Sequence, residues 1–306
     1  MNCLNGERYL PQAMDSVFGQ TYDNWEIVFW DNGSTDASAE IAKSYGDRIR
    51  FFYNEKTVPL GKARNLCMAK AKGDFIAFLD SDDIWFPDKL EKQIPLFEKD
   101  AEVGLVFSDA IYFNENGNLC QIYKKFKPPR GKIFRELFRK YFLCMTAVTL
   151  RKSAIEGLSW FNERIRLFED ADFFLRVALR YKLDYCDEPL VKYRVRPDSG
   201  TIKDFGSLPW ERSLALKTLI NEFPGFEKEY AQDIKVFQSK TRAQQSINEW
   251  INKNPGKARR ILKEASPKSY LIYALFFVTF LPSSTLNTLY VLNYKIKNWL
   301  NWNTFE

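Results

Sequence analysis

The chain has 306 residues, 45% hydrophobic and 27% charged, with 14 glycines and 13 prolines, which excludes collagen-like, low-complexity and wholly disordered chains and leaves room for one large domain or two. Its five cysteines (Cys3, Cys67, Cys120, Cys144, Cys186) form no C-x-x-C pair and it has no histidine, so a disulfide framework, a zinc ribbon and every histidine-based catalytic constellation drop out, and a reducing compartment is expected. The net charge of +6 is carried by the tail: from Ile251 onward eight basic residues (Lys253, Lys257, Arg259, Arg260, Lys263, Lys268, Lys295, Lys297) stand against Glu264 and Glu306, in a strongly apolar context that fits an anionic membrane surface and not a nucleic acid.

In chain order, the first half alternates short apolar runs with amphipathic segments, the rhythm of a mainly parallel sheet covered by helices. Helices are expected over Glu7 to Gln20, Thr35 to Tyr45, Leu60 to Lys72 and Pro87 to Lys99. Strands are expected over Glu26 to Trp30, Ile49 to Tyr53 and Phe75 to Leu79. Val103 to Phe113 reads as a strand leading into an Asn114 to Asn118 hairpin turn, and the basic, aromatic stretch Tyr123 to Tyr141 resists assignment. Glu169 to Tyr181 is helical, with Ala171, Phe174, Leu175 and Ala178 on one face. After about Thr201 the strand-like runs stop, and Leu208 to Lys263 reads as two or three helices.

Ser269 to Tyr294 contains no charge but is broken at Pro282. Ser269 to Leu281 is too short for a span of about 20 residues. With lysines on both flanks and Trp299 and Trp302 beyond, the segment is read as interfacial attachment, against a kinked span or plain soluble packing. The domain division expected is 1–205, 206–266 and 267–306. Near Met1 any apolar run is interrupted by Glu7, Arg8 and Asp15, so no secretory signal is expected and the body is placed in the cytoplasm, peripheral to the inner face of the membrane.

Chemistry is expected at strand ends, because ligands of open α/β sheets bind beyond the carboxyl ends of strands. Asp31-Asn32-Gly33-Ser34-Thr35-Asp36 follows one strand, and Asp31 there suits a base or ribose; equally, the hexapeptide suits a turn with Ser34 or Thr35 capping the next helix. Asp80-Ser81-Asp82-Asp83 follows another, and alternate carboxylates there suit one Mg²⁺ or Mn²⁺ shared with phosphate oxygens, although Asp83 also suits a helix cap. Between them Gly61-Lys62-Ala63-Arg64-Asn65 opens a helix and offers N–H groups and Arg64 to a phosphate. It is neither a P-loop nor a dinucleotide fingerprint. Glu169-Asp170 opens a later helix, where the acids either compensate the dipole or supply a general base.

Together these motifs resemble the family two glycosyltransferases, nucleotide-sugar enzymes of the GT-A fold. The likeness runs from about Asn2 to Thr201, through Asn5-Gly6-Glu7-Arg8-Tyr9-Leu10, Ser16 to Tyr22, the Asp31 turn, Gly61 to Asn65, Leu79 to Asp83 and Glu169-Asp170. It implies an α/β GT-A type sheet followed by a helical C-terminal region, and inverting transfer from a donor expected to be UDP-linked. The acceptor implied is a hydroxyl of a glycan or lipid-linked molecule, in surface polysaccharide synthesis. It implies Asp170 as base, with Asn5, Asp31, Arg64, Asp80 and Arg196 on the donor nucleotide. It further implies Asp80 and Asp82 on Mg²⁺ or Mn²⁺, supported by Gly61, Asn65, Asp83 and Glu169. Two alternatives are a sugar-nucleotidyltransferase, whose Gly-rich basic signature is not visible, and an inactive membrane-associated binding protein.

Two departures from the family pattern stand out. Tyr193-Arg194-Val195-Arg196 has Arg196 where a histidine often stands, so a diphosphate contact replaces a histidine ligand. The family's first apolar strand is also missing before Met1-Asn2-Cys3-Leu4-Asn5. The strands holding Asp31 and Asp80 are therefore expected to flank a gap, or to be only partly bridged by residues 1 to 4, with Met1 internal to a longer natural chain or a misplaced start.

Overall fold

Three short strands with their crossover helices build the first layer. β1 (Asn2–Cys3), β2 (Ile27–Asp31) and β3 (Ile49–Tyr53) pair in parallel in that order, and α1 (Leu10–Phe18), α2 (Ser38–Ser44) and α3 (Leu60–Met68) follow them in turn. The structure, a computed structural model, describes residues 1–196, 205–266 and 270–281. Pro282, Trp299, Trp302 and Thr201, on which parts of the tail and boundary readings rest, lie outside the described residues. All five residues of β2 are buried, as expected for an apolar β-branched and aromatic run covered on both faces. Val28 and Trp30 pack on Ala63 and Cys67 of α3, with Phe52 and Leu66 against them.

The second sheet is mixed. β4 (Phe75–Ala77), β8 (Thr149–Arg151), β6 (Val103–Asn114), β9 (Lys182–Arg194) and β5 (Ile84–Trp85) lie in that order, with β7 (Gly117–Gln121) on β6. Only β6 and β9 run parallel, so the α/β class is as expected with a larger antiparallel share than the βαβ rhythm suggests. α4 (Lys89–Lys99), α5 (Phe134–Arg139) and α6 (Glu169–Arg180) complete this part of the chain. The Asn-Gly signal marks the β6–β7 turn, where Gly117 sits at φ +112°, a conformation that glycine adopts without strain.

Helix starts move inward for local reasons. Gly6 O accepts the N–H groups of Tyr9 and Leu10, so residues 6–9 form a turn and α1 begins with Pro11 in its first turn rather than at Glu7. Thr35 N–H is taken by Asn5 Oδ1, which delays α2 to Ser38.

Between β2 and β4 lies an apolar cleft of about 480 Å³, lined by Val28, Cys67, Met68, Ile76, Phe78 and Leu90 among others. β1 spans it only at the site end: Asn2 pairs with Trp30, Cys3 with Asp31, and Asn2 forms a single bridge to Asp80. Behind it the Met1 ammonium donates to Val28 O at 2.8 Å. β4 thus stops at Ala77, short of the expected Leu79, and Asp80 beyond it reaches β2's end only through the single bridge to Asn2.

The chain divides into two compact units, Met1–Phe134 with Leu143–Ile202, and Arg135–Phe142 with Lys203–Glu306. The second is helical: α7 (Leu208–Glu222), α8 (Phe226–Glu229), α9 (Ala231–Ile251), α10 (Pro255–Glu264) and α11 (Tyr270–Val278). Asp233, with a fully buried side chain, takes both Arg135 and Arg139, and Phe138 stacks on Phe237 at 4.6 Å. The basic, aromatic stretch that resisted assignment therefore yields one short helix of this unit.

One core residue carries a pH prediction. Lys89 is 0% exposed, and its ammonium reaches Gln93 Oε1 (2.8 Å) and Thr149 Oγ1 (3.2 Å) with no carboxylate partner. Burial pushes it from 10.5 down to about 7. The unfolded lysine titrates near its ordinary value, so between pH 7 and 10.5 the unfolded chain binds the extra proton and stability rises with pH. Below pH 7 both states are charged and the full cost of the buried ion remains. Lys89→Met should therefore gain about 1–3 kcal/mol below pH 7, a gap that closes toward pH 10. Denaturant melts at pH 6 and pH 9 check this; a gap independent of pH would contradict it.

Candidate active site

The strand ends bring the expected residues together at one edge of the first unit. Two loops meet first. Asn5, at φ +53°, donates its N–H to Ser34 Oγ (3.0 Å) and accepts from Thr35 N, so the loops after β1 and β2 are tied to each other. Asp31 is buried, and its Oδ1 accepts Ser34 N at 2.9 Å, which makes the turn. Gly6 N donates to Ser38 Oγ at 2.9 Å, and a Cβ at Gly6 would stand 2.7 Å from Cys3 Sγ, so the backbone here is closely packed.

Arg64 is the hub of the second group. Its guanidinium, 7% exposed, meets Asp80 Oδ1 at 3.0 Å and Glu169 Oε1 at 2.5 Å and lies over the Phe161 ring. These two carboxylates, with Asp170 nearby, hold it charged against the cost of burial. Burial pushes the Glu169 carboxyl up to about 8, with Arg64 pulling the other way and Asp170 adding to the rise. Asp170 is half-buried one position into α6, and Ala171 N donates to its Oδ1. Gly61 and Asn65 support this hub. A Cβ at Gly61 would lie 3.1 Å from Asn162 O, and Asn65 exchanges two 2.9 Å hydrogen bonds with the Phe161 backbone. They fix the segment that approaches Arg64.

Asp82 and Asp83 part company. Asp83 is 1% exposed and accepts Arg194 N at 2.8 Å on Oδ1, while its Oδ2 is buried with no hydrogen-bond partner. Burial, then Asp80 and Asp82, raise it well above the carboxylate range. It is a core group of the strand-end loop, and the helix that follows begins at Lys89 instead. Asp82 keeps 22% of its side chain exposed and forms an ion pair with Arg196 Nε at 2.8 Å. Burial and the neighbouring Asp80 raise Asp82 as well.

The sequence pattern missed Arg194. Its Nε donates to Asp82 O (2.7 Å) and its Nη2 to Gln12 Oε1 (2.7 Å), and it lies over Tyr9 at 4.3 Å, so it pins the Asp82 peptide. Alternation was the available signal: positions 194 and 196 share one side of an extended segment. A cavity of about 530 Å³ opens beside Asp82 and Arg196, with Asn5, Arg8, Tyr9 and Arg194 in its wall.

Five carboxyl groups (Asp80, Asp82, Asp83, Glu169, Asp170) gather with three guanidinium groups (Arg64, Arg194, Arg196). Asp80 and Asp82 suit a divalent cation, since each directs one oxygen to an arginine and keeps the other outside that pair. Among the described residues no three ligating side chains converge on one point, so phosphate oxygens would complete such a set.

A sheet with acidic strand ends and helices on its faces is the GT-A type of α/β fold. Glycosyl transferase family 2 is the family to which the chain belongs: its sequence profile matches residues 1–158, which takes in Asp31, Arg64, Asp80 and Asp82 and stops before Glu169. An uncharacterised glycosyltransferase of Methanocaldococcus jannaschii is 36% identical over 198 residues, 62% of this chain and 67% of the relative. The Escherichia coli enzyme WfgD, a UDP-Glc:alpha-D-GlcNAc-diphosphoundecaprenol beta-1,3-glucosyltransferase, is 34% identical over 52% of this chain and 62% of its own. In fold the chain is similar to S. aureus TarS in complex with UDP-GlcNAc, with a TM-score of 0.66 at 16% identity over 95% and 90% of the two chains. The mannosyltransferase PcManGT of Pyrobaculum calidifontis with GDP-Man and Mn²⁺ gives 0.60 at 15% identity, over 99% and 86%.

Proposed function

We propose that the protein is an inverting glycosyltransferase that moves a sugar from a nucleotide-sugar donor to a hydroxyl of a glycan or lipid-linked acceptor. The observation that carries this reading is the Arg64 hub, which ties the Asp80 strand end to the start of α6, where Asp170 stands. One buried cation thereby holds Asp80 together with Glu169, the neighbour of Asp170. Asp31 and Asn5 would receive the nucleoside at the β1 and β2 ends, and Arg196 the diphosphate. Arg64 is fully engaged by two carboxylates, so its part in nucleotide binding is to orient Asp80.

Asp80 and Asp82 would hold Mg²⁺ or Mn²⁺, which when bound neutralises charge developing on the leaving diphosphate. Asp170 takes the proton from the acceptor hydroxyl as its oxygen attacks the anomeric carbon. Arg196 is released from Asp82 toward the departing phosphate oxygens, a charge-assisted contact suited to a guanidinium. The WfgD relative's named reaction supports a UDP-sugar donor and a diphosphate-lipid acceptor, and with the basic apolar tail it supports work at the inner face of a membrane. No described helix is long and apolar enough to cross one.

Incubation with UDP-glucose, Mn²⁺ and an N-acetylglucosamine-diphosphate-lipid acceptor tests the reading. NMR of the product should show an anomeric configuration opposite to that of the donor. A product of retained configuration would contradict the single displacement by Asp170. Absence of nucleoside diphosphate release from every UDP-, GDP- and dTDP-sugar tried would contradict the transferase reading itself.

A further inference from the structure

α11 is uncharged along its nine residues, and at about 1.5 Å per residue it is roughly 14 Å long, half of a bilayer's hydrocarbon core of about 30 Å. One side of it is docked: Ile272, with Leu275 and Phe276, packs on Ala243 of α9 and Leu262 of α10. Thr279 O accepts Arg259 Nη1 at 2.9 Å, and Leu281 O accepts Trp250 Nε1 at 3.0 Å, so the helix end is fixed on the same unit. The other side is open. Tyr273 and Phe277, four apart on one face of α11, are 52% and 69% exposed, and Phe280 and Leu281, in the turns that follow the helix, are 62% and 52% exposed.

The rim of that face is basic. Arg259 lies 4.4 Å over the Phe280 ring, and Lys263, one helical turn further along α10, lies 5.9 Å from the Phe276 ring. Aromatic groups flanked by cations, on a helix too short to span, match the boundary between acyl chains and anionic headgroups. We infer that Tyr273 and Phe277 of α11 and Phe280 and Leu281 just after it, with Arg259 and Lys263 at the rim, seat the helical unit on an anionic lipid surface. The inference rests on the membrane part of the proposed function and assigns it to particular side chains. Charge complementarity chooses this occupant: the chain's whole positive excess lies from Ile251 onward, and a second copy would set these cations against each other.

Flotation of the full chain with phosphatidylcholine vesicles containing about one third phosphatidylglycerol tests it. The full chain should float, and less of it should float as salt rises from low to about 0.5 M. The double variant Phe277→Ser with Phe280→Ser should lower the vesicle partition coefficient by about tenfold or more. Its thermal melt should stay unchanged, since both rings face outward. Lys263→Glu should lower partition several-fold at low salt and little at high salt.

Undiminished flotation of the double variant would overturn the assigned face while leaving membrane attachment standing. A full chain that never floats would overturn both. If it also sediments as a dimer that the double variant splits, the face belongs to a second copy. Nucleotide-sugar binding by the double variant, measured in parallel, keeps these outcomes separate from the transferase reading.

Discussion

Asp170→Asn is expected to lower kcat by about 10²–10⁴ while leaving donor affinity within about twofold, because the amide keeps the shape of the side chain but cannot accept the acceptor's proton. The structure limits what can take over. Glu169 is adjacent in sequence but buried, bound to Arg64 and raised to about 8, so at neutral pH it is a poor and inaccessible base. Asp80 and Asp82 are each paired with an arginine. The substitution should be quiet in stability, since the amide oxygen still accepts Ala171 N. Stopped or quenched kinetics with saturating donor check it; turnover within a few-fold of the parent would place the base elsewhere.

Asp82→Ala is expected to abolish the Mn²⁺-dependent part of donor binding, weakening it by about 10–100-fold in saturating ion. The fold should be spared. Asp82 is partly exposed, its side chain pairs with Arg196, and its removal relieves repulsion on Asp80 and Asp83, so a change beyond about 1 kcal/mol is not expected. Asp83→Ala should behave in the opposite way. That side chain is 1% exposed and accepts the Arg194 N–H, so its loss strikes the loop itself. Unchanged Mn²⁺ dependence in Asp82→Ala would remove the ion from this pair of carboxylates.

These expectations draw on a site that was legible in the sequence wherever local chemistry decides position. Ile49–Tyr53 is the strand its composition predicts and Asp31 closes β2, whereas β4 stops at Ala77 and Asp80 follows in a single bridge to Asn2. What stayed hidden depends on contacts distant in sequence. β9 carries Asp187, Glu188 and Pro189 in its middle, residue types disfavoured in strands; the structure absorbs them where the register against β6 shifts around Asp109. That strand ends at Arg194, the residue that pins Asp82, and Arg196 follows two positions beyond it. β8 is only three residues long, too short to show a period.

Roles were harder to read than positions. Arg64 looks like a free phosphate ligand at a helix start, yet it is a buried counter-ion whose two partners lie 16 and 105 residues away. Glu169 looks like a solvent-facing acid compensating a helix dipole, yet it is buried against that arginine. Neither pairing can be inferred from spacing, because the chain closes it only when α3, β4 and α6 are packed. The donor-binding roles of Asn5 and Asp31 remain proposals; in the structure both serve first to tie the β1 and β2 loops.

Isothermal titration of UDP- and GDP-linked sugars into the full chain, with Mn²⁺ and again with a chelator, tests most directly whether these carboxylates form one nucleotide-sugar site. The account predicts saturable binding of one nucleotide class that depends on the ion, is lost in Asp82→Ala and is retained in Asp170→Asn. Binding that is indifferent to the chelator and to Asp82→Ala, or no binding of any nucleotide sugar, would contradict it.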